Sequence, residues 1–167
     1  MVIKFEKETE GVLFACSKKG LKKYFIDKEF DYNFPDGILP LINKGLVIAL
    51  TTESSEEIKG ELIDIAMNDY KGYKLAGEQN FYIEEADEIY ILSHSEFTQI
   101  CHNHQGDIDA FDFWNEKIVI SNLRPGWAII FTHCKMRKNS MYLRTIIQLV
   151  YMKQAMPYPE IERIPAF

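Results

Sequence analysis

Apolar positions in this chain come in short runs broken by Gly, Pro, Asn and Asp, the pattern of strands joined by turns. Residues 11–16 (GVLFAC), 45–52 (GLVIALTT), 58–66 (IKGELIDIA), 80–84, 88–94 and 97–102 each read as a strand. The clearest signal lies at 117–136, KIVISNLRPGWAIIFTHCKM. Residues 118–120 and 127–131 are apolar runs, and Pro125-Gly126 between them suits the φ values of a type II turn. This predicts an antiparallel hairpin around which the rest is arranged. Trp127, first in the second run, is expected to cover one end of the core. The short link 85–87 predicts a second antiparallel pair, 80–84 with 88–94.

Residues 142–153 (YLRTIIQLVYMK) admit a helix, but the β-branched Thr145, Ile146, Ile147 and Val150 favour a strand returning antiparallel to 127–131. Residues 23–34 read as extended, Lys18, Lys19, Lys22 and Lys23 as a solvated basic turn, and 103–115 as a polar loop. Pro157, Pro159 and Pro165 keep the tail out of a central ladder and lay it along the surface. Eight or so short strands without strand-helix alternation predict an all-β fold, an antiparallel β-sandwich with little helix. The expected organisation is a single domain over 1–167. It comprises N-terminal strands and a connecting segment at 1–43, a sandwich core at 44–153 and a Pro-rich tail at 154–167.

An apolar content of 47% excludes a disordered chain. No apolar run reaches the ~18 residues of a membrane span, and charge from Lys4 onward leaves no secretory segment. The expectation is a cytoplasmic protein with no membrane association, whose Cys16, Cys101 and Cys134 are reduced core thiols. The net charge of −6 conceals an asymmetry. Residues 53–116 carry 16 acidic side chains against three lysines, a net −13, while the remainder nets +7. Direct nucleic-acid binding needs basic phosphate contacts, so this segment points instead to a basic protein partner.

Asp107, Asp109 and Asp112 lack the glycine and glutamate of a calcium-binding EF-hand loop. Flanked by Phe111, Phe113 and Trp114, they read as carboxylates for steering with rings for a buried anchor, and Glu84, Glu85 and Asp87 extend the set. Six of the seven His and Cys residues fall between 94 and 134. On a strand, His102-x-His104 would present both imidazoles on one face, and His133 or Cys134 could complete a zinc site. That is the alternative reading, a metal-dependent enzyme or metal sensor. The spacing matches neither Cys-x-x-Cys nor His-Glu-x-x-His, and surface histidines beside buried thiols are the preferred reading. There is no Gly-x-Ser-x-Gly and no phosphate loop. A Cys101 or Cys134 pairing with His104 or His133 would depend on fold contacts. No enzyme activity and no cofactor are expected.

The order of elements carries one further signal. A turn-strand run, a strand bearing acidic side chains and a mid-chain pair are followed by Leu123-Arg-Pro-Gly-Trp-Ala-Ile-Ile-Phe-Thr-His-Cys134, a loop, and Thr145-Ile-Ile-Gln-Leu-Val-Tyr-Met152. This resembles the competence nuclease-inhibitor (competence protein J) type of small β-sandwich over residues 44–153. The resemblance implies a cytoplasmic protein that acts by binding a nuclease. The expected function is therefore that of an acidic inhibitory binding protein, of the immunity or nuclease-inhibitor type.

Overall fold

The structure is a computed structural model and describes residues 1–52, 54–63, 71–135, 142–155 and 160–166. In chain order its elements are β1 (Val2–Glu8), β2 (Val12–Ser17), α1 (Lys18–Tyr24), α2 (Leu39–Asn43), β3 (Val47–Thr51), β4 (Glu57–Ile63), β5 (Lys74–Ile83), β6 (Ile89–Leu92), α3 (His94–Asn103), β7 (Ile118–Ile120), β8 (Gly126–Lys135) and β9 (Leu143–Tyr151). Two sheets form, one of five strands in the order β1-β4-β9-β8-β5 and one of four in the order β3-β2-β6-β7. The all-β sandwich expected from the sequence is present, with one departure from pure antiparallel pairing: β4 and β9 run parallel. The first two strands of the chain divide between the sheets, β1 pairing with β4 and β2 with β3 and β6.

Two apolar clusters explain which strands alternate and which do not. One lies between the sheets and joins Phe5, Leu13, Ile58, Leu62, Phe81, Ile91, Ile130 and Ile147. The other lies between the four-stranded sheet and the helices, joining Phe14, Cys16, Val47 and Leu92 to Leu21, Leu41, Phe97 and Ile100. β2 and β6 are covered on both faces, and every residue of each is buried. That is why they read as continuous apolar runs. The Phe14 and Phe97 rings stack at 4.1 Å across the second cluster. Such a pair contributes about 0.5–1.5 kcal/mol beyond the area it buries.

The predicted central hairpin does not form. Ile118–Ile120 pairs with β6 in the four-stranded sheet, whereas Gly126–Lys135 pairs with β5 and β9 in the other. The chain crosses between the layers at residues 121–125. Leu123 is drawn into the core between the sheets, 7% exposed, and the Arg124 amide donates to the Tyr151 hydroxyl at 3.1 Å. Pro125-Gly126 leads straight into β8 instead of forming the expected turn, and with Leu123 buried the segment serves as a crossing. The link 85–87 behaves likewise, since β5 and β6 lie in different sheets.

Three further expectations are corrected. Residues 97–102 belong to helix α3, not a strand. Ser93 Oγ accepts from the Glu96 amide at 3.4 Å and Glu96 Oε2 from the Ser93 amide at 2.9 Å, a reciprocal cap. The helix buries Phe97, Ile100 and Cys101 against the sheet, the i, i+3, i+4 stripe of an amphipathic helix. Lys18–Tyr24 is likewise a helix, capped by the Ser17 hydroxyl, which accepts from the Gly20 amide at 2.9 Å; the chain beyond it runs as loop. Trp127 does not cap the core, because the even-numbered Ala128, Ile130 and Cys134 of β8 fill the space between the sheets. Its half-buried ring stands on the other face, 5.0 Å from Tyr82.

Of the segments expected as strands at 58–66 and 142–153, β4 covers 58–63 and β9 covers 143–151, the latter antiparallel to β8. Residues 64–66 of the former and residues 136–141 lie outside the described residues, as do Pro157 and Pro159. In the described tail, Ala166 bridges to Thr51 at the edge of β3, and Ile161 and Ile164 pack on the second cluster. Among the described residues, no helix is long and apolar enough to cross a membrane.

Candidate functional site

The acidic residues singled out in the sequence fall into two groups. The first lies along α1, whose lysines meet carboxylates rather than forming a solvated turn. Lys18 Nζ is 2.8 Å from Asp109 Oδ1 and 3.0 Å from Glu88 Oε2. Lys22 Nζ is 2.8 Å from Asp107 Oδ2, and Lys23 Nζ is 2.5 Å from Glu84 Oε2. Lys19 Nζ donates to the Glu85 carbonyl at 2.6 Å. The hydrogen bond from Lys22 lowers the Asp107 carboxyl pKa, and the hydrogen bond to Asp109 raises that of the Lys18 ammonium. Each pair is partly solvated and contributes little alone, ~0–1 kcal/mol. Together they mean that Glu84, Glu88, Asp107 and Asp109 are met by the chain's own lysines.

Asp87 differs from its neighbours because it is buried, 3% exposed. Its carboxylate accepts from Ser17 Oγ at 2.5 Å and from the amides of Lys19 and Glu88 at 3.0 and 2.8 Å. The residue fixes the entry of α1 onto the sheet and is closed to a partner.

The second group lies beyond the single 3-10 turn Ile108–Ala110, which Asp107 caps by accepting from the Asp109 amide at 3.2 Å. Phe111 is buried, and Trp114 stands edge-on to it at 5.3 Å while remaining 55% exposed. Asp112 and Glu116 flank the indole, both exposed and with no ion pair among the described residues. Trp114 also lies on the rim of a cavity of about 850 Å³. The cavity opens between β1 and β7, the outer strands of the two sheets, with a wall of mixed charge. Within it Lys59 pairs with Glu6 at 2.9 Å, and Lys7 pairs with Glu96 out of solvent.

The alternative zinc set is not assembled. His102 and His104 lie at the C-terminal end of α3, not on a strand, and their rings pack on Tyr32 and Phe111 at 4.7 and 6.0 Å. His133 and Cys134 belong to β8 in the far sheet, His133 near Phe131 and Cys134 facing the core. Among the described residues no three His, Cys, Asp or Glu side chains gather as a metal group. The thiols are not poised as nucleophiles. Burial pushes the pKa values of Cys16 and Cys101 well up and that of Cys134 to about 11.

No family model matches the sequence, and comparison with curated proteins finds no match. Two solved structures are similar in fold. One is "Crocagin biosynthetic gene J", with a TM-score of 0.55 and 10% identity over 90% of this chain and 96% of that one. The other is ComJ from Bacillus subtilis, described as inhibitor of the DNA degrading activity of NucA. It aligns with a TM-score of 0.46 and 13% identity over 91% of this chain and 99% of that one. ComJ is of the type that the order of elements in the sequence resembles. The first similarity supports the β-sandwich architecture, and at these identities the likeness is one of fold.

Proposed function

We propose that this chain is an inhibitory binding protein that acts in the cytoplasm on a basic protein partner, a nuclease. The observation that carries the reading is Trp114, half-exposed on a buried Phe111 and flanked in the chain by the exposed carboxylates of Asp112 and Glu116, which have no ion pair among the described residues. A rigid aromatic anchor between like charges meets a basic cleft well: the ring desolvates in the centre and the carboxylates orient the approach. Asp107, Asp109, Glu84 and Glu85, held along α1, form a secondary contact zone, in which a partner's cations would compete with the lysines of α1. Asp87 contributes by holding that zone in place.

The test is an assay of DNA hydrolysis by purified basic nucleases of the source organism, with and without the protein. Stoichiometric inhibition of one of them is the expected result. Undiminished hydrolysis by all, at protein concentrations of about 10 μM, would overturn the reading, since enzyme–inhibitor complexes normally bind far more tightly.

A further inference from the structure

A second cavity of about 430 Å³, sharing Glu10 with the large one, opens where the loop 30–34 passes over the start of α3. Phe30 fixes that loop, its ring standing edge-on to Phe25 and Phe97, each at 6.1 Å. Held outward by this anchor, Tyr32 and Phe34 remain 59% and 45% exposed. The Tyr32 ring lies 5.3 Å from Phe30, and Phe34 lies 5.9 Å from His94. Single exposed aromatics are ordinary, but here they converge on one concavity with the carboxylates of Glu10 and Asp31. Among the described residues the walls include no Lys or Arg. Along α1 and in the large groove, by contrast, the chain brings lysines to its own carboxylates.

We propose that this cavity receives the guanidinium of an arginine side chain presented by a polypeptide. Aromatic walls favour a flat, delocalised and weakly hydrated cation, and two carboxylates at the mouth supply its counter-charge. A hard metal ion would need six or so oxygen ligands, which these walls do not offer. Both carboxylates are held in place. Glu10 Oε2 accepts from the Ser95 amide at 2.9 Å, and Asp31 Oδ1 from the Asn33 amide at 2.8 Å. Partial burial alone would raise the pKa of Glu10, but the hydrogen bonds from Ser95 and Ser93 and the nearby His94 together outweigh it and keep the carboxyl below its usual value. The site rests on the proposed basic partner only for the source of the arginine, and is tested without that partner.

The experiment is an amide NMR titration of the whole chain with Nα-acetyl-arginine-N-methylamide. The citrulline analogue serves as the neutral isostere and agmatine as a free small amine. The expected result is saturable shifts confined to residues 10, 30–34 and 94–98, with a dissociation constant on the order of millimolar, fitting one cation site. The citrulline analogue binds at least about tenfold more weakly, and Glu10→Gln and Tyr32→Ala each weaken capped arginine by about fivefold, the share of one cation contact. Both residues are exposed, so spectra elsewhere stay unchanged. Absence of shifts up to about 100 mM, or equal binding of the citrulline analogue, would overturn the proposal. Preference for agmatine by about tenfold or more would overturn the polypeptide source in favour of a small amine. Failure of nuclease inhibition leaves this titration intact, and a blank titration leaves the Trp114 patch standing.

Discussion

Lys7 of β1 reaches Glu96 in the first turn of α3, Nζ to Oε1 at 2.6 Å, with side-chain exposures of 8% and 1%. The pair joins the edge strand of one sheet to the helix layer beyond the other, and Glu96 also completes the cap with Ser93. Lys7→Met strands a buried carboxylate, so a loss of about 3–5 kcal/mol is expected in urea denaturation. Lys7→Met with Glu96→Gln removes both charges and keeps the cap acceptor. The double variant is expected to be more stable than Lys7→Met alone.

Gly60 lies opposite Phe5 in the β1–β4 ladder, and a Cβ there would fall 2.0 Å from Cζ of the Phe5 ring. Gly60→Ala must therefore expel or rotate a side chain that is 5% exposed. The expected cost is about 1–3 kcal/mol, the range for overpacking a filled core. Adding Phe5→Leu to Gly60→Ala recovers part of it, read as the shift in denaturation midpoint.

The thiols set a pH dependence. Burial raises the Cys134 pKa from 9.0 to about 11 in the folded chain, and those of Cys16 and Cys101 also move upward. The unfolded chain gives up these protons first, so it binds fewer of them and stability falls as pH rises above the usual thiol value. Each tenfold difference in proton affinity between the folded and unfolded chain is worth about 1.4 kcal/mol, and below that pH the contribution is fully present. Denaturation series from pH 7 to pH 10.5 are expected to decline only at the alkaline end. At pH 8, iodoacetamide labelling followed by mass spectrometry should leave the native thiols unmodified and modify all three cysteines after unfolding.

Much of the strand inventory is legible in the sequence, because β-branched and aromatic runs bounded by turn residues carry their own signal. The parallel pairing of β4 with β9 and the layer change at Leu123 are not. Both depend on which distant surface a segment buries against, and a Pro-Gly corner looks the same in a hairpin and in a crossing. The Ser93-x-x-Glu96 cap with Phe97, Ile100 and Cys101 is a readable helix signal that the His102-x-His104 spacing obscures. In the candidate site, Trp114 beside carboxylates is visible as composition. The pairing of Lys18, Lys22 and Lys23 with Asp109, Asp107 and Glu84 spans about sixty to ninety residues and has no local signature. The cavity at Tyr32 and Phe34 has none for the same reason, since Glu10 and His94 reach it from other parts of the chain.

Charge steering by the exposed carboxylates predicts an association rate that falls with salt. Between about 0.05 and 0.5 M ionic strength the Debye length shrinks from roughly 14 to 4 Å, and attraction across the forming interface is screened. Asp112→Asn with Glu116→Gln should lower the low-salt rate and flatten this dependence while leaving the dissociation rate nearly unchanged. Stopped-flow association with the inhibited nuclease checks both.

The most direct measurement is the inhibition constant of Trp114→Ala against that nuclease, taken beside its urea denaturation midpoint. A central aromatic anchor contributes about 2 kcal/mol or more to binding, so inhibition should weaken about 30-fold or more. The midpoint should stay at the wild-type value, since the indole is 55% exposed. Unaltered inhibition would contradict the account. So would a loss of stability large enough to explain the weaker binding, because Trp114 would then belong to the core and not to an interaction surface.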